Sequence, residues 1–101
     1  MNWLKKFSEK QLLLYDVGIS KYYFPKNLWP QGIQDFFEVV QIKAYSRTFA
    51  AQRAWKQNSV RWLNLMEPKL TQLPRKISLY VGETKGTPLG RLDPILVYEG
   101  A

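Results

Sequence analysis

The basic side chains are concentrated in one third of the chain. Of its 15 lysines and arginines, eight lie between positions 43 and 76 with a single acid, Glu67, and the formal net charge is +7. Arginine matches phosphate through its planar fork of donors, and each neutralised phosphate also releases counterions. The candidate nucleic-acid-binding residues are therefore basic side chains of this region: Lys43, Arg47, Arg53, Arg61, Arg75 and Lys76.

Part of this set predicts a cationic line along a helix. Lys43, Arg47 and Arg61 fall on one side of a helical wheel, and Arg47 and Arg61 project along one line about 21 Å long. Ala50 and Ala54 lie between these cations, and their small side chains would leave room for a phosphodiester chain. The alternative is a solvated helix face that only keeps the protein soluble.

Catalytic chemistry has few candidates in this sequence. The chain contains no cysteine and no histidine, which excludes thiol nucleophiles, Ser-His-Asp triads and Cys/His metal sites. Asp35 and Glu38 share a helix edge, where solvation explains them more simply than acid-base catalysis. The stretch Gly82–Thr87 does not match a phosphate loop, because Lys85 precedes the second glycine. The sequence therefore predicts a protein that is not an enzyme and holds no cofactor or metal.

A loop with many aromatic residues is predicted between positions 21 and 30. Pro25 and Pro30 fix their backbone φ angles and remove amide donors, which disfavours regular structure. So many aromatic side chains in a loop have to pack over the core or against another molecule. The candidates for partner contact are three of them: Tyr22, Tyr23 and Trp29.

Two helices are predicted in the first forty residues. The first covers Asn2–Tyr15 and stops near Gly18, with a hairpin over Gln11–Phe24 as the alternative. The second begins near Gln31, where apolar residues follow the i, i+3, i+4, i+7 spacing of an amphipathic helix. Alternation of apolar residues from Val40 allows a short strand instead. The residues that carry the helical spacing are Ile33, Phe36, Phe37 and Val40.

A longer amphipathic helix is predicted from about Ala44 to Glu67, where Pro68 ends it. Asn58-Ser59 could divide it. One side of its wheel collects large apolar residues, which are the expected core contacts: Tyr45, Phe49, Trp55, Val60, Trp62, Leu63 and Met66.

The last third of the chain is predicted to be β structure. Ile77–Val81 alternates apolar and polar residues, and Ile95–Tyr98 is a second strand-forming run, so the two are expected to pair in one sheet. The predicted fold class is therefore α+β, with N-terminal helices packed on a small C-terminal β-hairpin or sheet, in a single domain over residues 1–101.

Three functions are compatible with these features. The first is a small basic, non-enzymatic module that contacts nucleic acid or another polyanion through a cationic helix face. The second is an accessory subunit of a larger protein complex, docking through the aromatic loop 21–30 and the C-terminal strands. The third is a peripheral membrane protein that inserts the helix Asn2–Tyr15 in the lipid interface. No run of residues is long and apolar enough to span a bilayer, and the expected location is the cytoplasm.

Overall fold

The fold joins one helix to a four-stranded sheet. The computed structural model describes residues 11–66, 74–86 and 88–100. In chain order its elements are strand β1 (Leu13–Ser20), strand β2 (Phe36–Ala44), helix α1 (Arg47–Met66), strand β3 (Lys76–Glu83) and strand β4 (Ile95–Glu99). Two short 3-10 helices, Lys21–Tyr23 and Lys26–Leu28, lie in the connection between β1 and β2.

The four strands form one antiparallel sheet in the order β2-β1-β3-β4. Val17 of β1 pairs with Val40 of β2 on one side and with Val81 of β3 on the other. Leu79 of β3 pairs with Ile95 of β4. Strands β1 and β3 are therefore central, and β2 and β4 are the edges.

Helix α1 covers one face of this sheet through small side chains. Ala50, Ala51 and Ala54 are fully buried, together with Trp62 and Met66 at the other end of the helix. The small alanine side chains allow the helix backbone to approach the strands, and the Trp62 indole fills the core at the other end of the helix. From the sheet, alternate residues complete the core: Tyr15, Val17, Ile19, Ile42, Ala44, Ile77, Leu79 and Val81.

The predicted order of helices before strands is wrong. Strands β1 and β2 precede the helix, and Leu13–Tyr15, predicted to end the first helix, lies in β1. The rest of that predicted helix lies outside the described residues. Ile19 is fully buried and β1 pairs on both sides, so tertiary pairing outweighs the helical spacing.

The second predicted helix is also replaced by a strand. Phe36–Ala44 forms β2, and Ile33, the first residue of the helical spacing, is almost fully exposed. The β-branched residues Val39, Val40 and Ile42 favour a strand, and β2 pairs with β1 along its length.

The long helix is present, but its orientation differs from the prediction. It begins at Arg47 because Ala44 belongs to β2, and the Asn58 side chain donates to the Ala54 carbonyl without interrupting it. Phe49 and Val60, expected in the core, are 59% and 74% exposed. The prediction assigned the core side of the helix by its large apolar residues, whereas the side that faces the sheet carries Ala50, Ala51 and Ala54.

The C-terminal strand pairing is as predicted. Ile77 pairs with Tyr98, and Leu79 with Ile95, in an antiparallel arrangement with one register shift. Within the described residues, no helix has the length and apolar character needed to cross a membrane.

Replacing Trp62 with Ala is expected to lower the free energy of unfolding by about 3 to 5 kcal/mol, because it removes a fully buried indole. Urea titration measures this loss. Val60→Ala, on the exposed side of the same helix, is the matched control and is expected to stay within about 0.5 kcal/mol. A loss below about 1 kcal/mol for Trp62→Ala would contradict this packing.

Candidate nucleic-acid interface

Arg47 contacts two chain segments, the last part of β3 and the loop between β3 and β4. The side chain is half-buried at the first turn of α1, where Nε donates to the Val81 carbonyl at 3.1 Å and a terminal nitrogen donates to the Asp93 carbonyl at 2.8 Å. Arg47 thus holds two chain segments together at the point where the β3-β4 pairing stops.

Arg53 of α1 contacts the backbone of Lys43 near the end of β2. A terminal nitrogen of Arg53 donates to the Lys43 carbonyl, and both side chains are exposed. Lys43 pairs with Leu14 in the sheet and points to the face opposite the helix. This contact brings one cation from the helix and one from the sheet to the same edge.

Arg61 forms an ion pair with Glu38, which was predicted to lie in a helix and lies in β2. Its terminal nitrogens lie 2.8 Å and 2.9 Å from the two carboxylate oxygens of Glu38 in β2, and it also donates to the Asn58 side chain. Trp62 donates its indole N–H to Glu38 at 2.9 Å. Glu38 therefore joins α1 to the edge strand and neutralises one of the predicted phosphate-binding arginines.

The Glu38 carboxyl is held in its ionised form. Partial burial raises its pKa, but the hydrogen bonds from Arg61 and Trp62 and the positive charge of Arg61 together outweigh burial. The net pKa of Glu38 therefore lies below its ordinary value.

The predicted cationic line between Arg47 and Arg61 does not form on the surface. Ala50 and Ala54, expected to leave space for a ligand between the cations, are fully buried against the sheet. The side of the helix that carries Ala50 and Ala54 therefore faces the core. Arg47, at the first turn, and Arg61, beside the β2 edge, bind protein atoms.

The exposed side of α1 is instead cationic and rich in amides. Arg53 and Lys56 are exposed there, with Gln52 and Gln57 beside them, and α1 contains no aspartate or glutamate. Lys56 was not among the predicted residues. The absence of acids over residues 47–66 could have indicated this cationic side. The prediction instead chose the exposed side of the helix from the positions of its large apolar residues.

Arg75 and Lys76 lie away from the other predicted cations. Both are exposed at the start of β3, and Lys76 is 3.9 Å from Glu99. Because Gly18 pairs with Tyr80, this end of β3 lies beside the end of β1, whereas Lys43 pairs with Leu14 at the start of β1. The six predicted residues therefore divide between opposite ends of the sheet.

Two of the three loop aromatics make hydrogen bonds through their side chains. The Tyr23 hydroxyl accepts from the Ser78 amide at 3.1 Å, and the Trp29 indole donates to the Phe24 carbonyl at 3.0 Å. Tyr22 is 62% exposed, and its ring lies edge-on to Trp29 at 5.1 Å. Of the predicted partner-binding residues, Tyr22 thus presents the largest free surface.

The sheet face opposite α1, which we call the open face, carries two aromatic rings that sequence reasoning missed. Phe36 and Tyr80 meet at 5.5 Å, and both are half-buried. A Cβ atom at Gly18 would lie only 2.8 Å from the Phe36 ring, so glycine is required for the ring to lie over β1.

A bulge places Phe36 on this face. Ile19 pairs with Glu38 but Ser20 pairs with Phe36, so Phe37 is the extra residue of β2. Without the bulge, simple alternation would put Phe36 on the helix side with Glu38. Phe37 stacks on the buried Phe24 ring at 3.8 Å.

The open face ends in a cleft of about 410 Å³ bordered by Tyr22, Phe36 and Tyr80. The β3-β4 loop contributes Leu89 and Gly90 to its wall. In the described parts of the chain, no group of three or more acidic, histidine or cysteine side chains is arranged to hold a metal ion.

Comparison with protein-family models, with curated proteins and with solved structures finds no match to this chain.

Glu38 generates a prediction about pH. Because folding lowers its pKa, ionised Glu38 stabilises the fold above the unfolded-state pKa of about 4.3, and this stabilisation disappears as pH falls through the folded-state pKa. Glu38→Gln keeps an acceptor for Trp62 but cannot ionise. Its unfolding free energy is expected to decline less steeply than that of the wild type between about pH 5 and pH 2, measured by urea titration. Equal declines in the two proteins would contradict this role.

Proposed function

We propose that this protein is a non-enzymatic module that binds nucleic acid along its β2 edge. The proposed phosphate-contacting group consists of Lys43 and Arg53 at this edge and Lys56 one turn farther along the exposed side of α1, and we call these three the β2-edge cations. The observation that carries the proposal is that Arg53 of α1 contacts the Lys43 backbone, so exposed cations of helix and sheet meet at the β2 edge, and α1 contains no acid.

The charge of this region favours a polyanion. Glu38, the acid of β2, is paired with Arg61 and therefore does not compensate the charges of the β2-edge cations. Arg53 uses one of its five N–H donors on the Lys43 carbonyl and keeps the others for a ligand. Phosphate contacts of this kind give affinity that falls steeply with salt and is largely independent of sequence.

The amides on the same helix side support this function. Gln52 and Gln57 are exposed next to the cations, and glutamine side chains commonly bind sugars, phosphates and base edges. The proposed location is the cytoplasm, since a chain without cysteine suits a reducing compartment.

A second candidate is an accessory subunit that docks on a protein partner. Leu14, Val39 and Leu96 are 38%, 45% and 47% exposed, and the register places all three on the open face. The outer edge of β4 also offers backbone groups to another strand. Copurification with an acidic protein, in the absence of any binding to DNA or RNA, would favour this candidate.

The double variant Arg53→Gln/Lys56→Gln is expected to bind single-stranded and duplex DNA more weakly, whatever their sequence. The slope of log K against log salt should flatten by about 0.7 to 0.9 for each phosphate that the variant no longer neutralises. Fluorescence anisotropy over a salt series measures both effects.

The matched control is Arg75→Gln/Lys76→Gln, which removes the same charge at the opposite end of the sheet. This control is expected to keep most of the affinity and the original slope. Equal losses of affinity in the two double variants would show that net charge alone attracts DNA, and no binding by the wild type would refute the function itself.

A further inference from the structure

The cleft at the end of the open face combines aromatic rings with a carboxylate. Resting on the proposed function, we propose that this cleft holds one guanine base of a single-stranded nucleic acid, with the Asp35 carboxylate accepting hydrogen bonds from the N1–H and N2–H groups of guanine. Its volume of about 410 Å³ lies within the range of about 300 to 1,000 Å³ usual for small-ligand sites.

The rings supply stacking surfaces for a base. Phe36 lies over Gly18, so the backbone of β1 supports one side of the ring. Tyr80 stands beside it at 5.5 Å, and the exposed Tyr22 also borders the cleft. Bases in single strands stack on such rings, whereas a duplex keeps its bases inside.

Asp35 supplies the preference among bases. Within the described residues its carboxylate makes no hydrogen bond or ion pair, and it borders the cleft. An ionised carboxylate is an acceptor only and has two oxygens side by side. Guanine presents two adjacent donors on its Watson–Crick edge. Adenine and cytosine place an acceptor beside their amino group, and thymine or uracil places carbonyls on both sides of one N–H, so each would set an oxygen or nitrogen lone pair against the carboxylate.

The backbone fixes the position of Asp35. Its carbonyl accepts from the Lys21 amide at 3.0 Å, which ties the start of β2 to the segment that follows β1. The next residue is Phe36, so the carboxylate and the stacking ring are held by consecutive residues.

The cleft and the proposed phosphate contacts lie towards opposite ends of the edge strand β2. Phe36 and Glu38 lie at the start of β2, with Arg61 bound to Glu38, and Lys43 lies near its end. Seven strand residues span about 23 Å, so a single strand that runs along the length of β2 is needed to place phosphates on the β2-edge cations and one base in the cleft.

The test compares labelled oligothymidylate with the same oligomer carrying one central guanine, adenine or cytosine. The guanine oligomer is expected to bind at least about fivefold more tightly than oligothymidylate, as bidentate base contacts do. In Asp35→Asn this ratio should fall to near one. Tyr22→Ala, which removes one wall of the cleft, should also reduce it.

Asp16→Asn is the matched control. Asp16 lies on the same face but accepts from Gln41 and Thr84, away from the cleft. This variant is expected to keep the guanine ratio. Equal binding of all four oligomers by the wild type, or an unchanged ratio in Asp35→Asn, would overturn the guanine site while leaving the proposed function intact. No binding of any oligomer would overturn both.

Discussion

The close packing between the alanines of α1 and the sheet determines the rest of the structure. One helix covers one face of four strands, and Ala50, Ala51 and Ala54 let it approach without a gap. Their burial fixes the rotation of the helix about its axis. That rotation sends Arg61 to the β2 edge, Arg47 to the end of β3, and Arg53 and Lys56 to the exposed side. The location of the positive charge is thus a consequence of core packing.

The same packing explains where sequence reasoning failed and where it succeeded. Large apolar residues were assigned to the core, yet Phe49 is exposed and the alanines are buried, because close helix-sheet packing favours small side chains. The extent of α1 followed from its composition to within three residues at its start. The pairing of β3 with β4 followed from alternation because both runs are strongly strand-forming. For β1 and β2 the helical spacing was preferred over the strand alternatives, because their apolar residues also fit a helix and only the pairing of β1 with β2 and β3 decides between the two.

The candidate site was predictable only in part. Basic composition predicted a polyanion ligand, which stays a prediction; of the predicted cations, Lys43 lies in β2 and not on a helix, and the exposed Arg53 donates to its carbonyl. The strand pairing places Arg75 and Lys76 at the opposite end of the sheet from Lys43 and Arg53. The spacing of residues along the sequence does not show this separation. The position of Phe36 depends on a bulge and on the glycine opposite, neither of which leaves a clear sequence pattern. In the proposed binding, phosphates contact the β2-edge cations and a base enters the cleft at the end of the open face.

The central claim is that nucleic acid lies along the β2 edge. Titration of ¹⁵N-labelled protein with oligothymidylate, followed by NMR, tests it directly because each backbone amide reports its own surroundings. The account predicts the largest shifts at Lys43, Arg53 and Lys56, with small shifts at Arg75, Lys76 and Glu99. Shifts concentrated at the start of β3, or spread evenly over all basic residues, would contradict it.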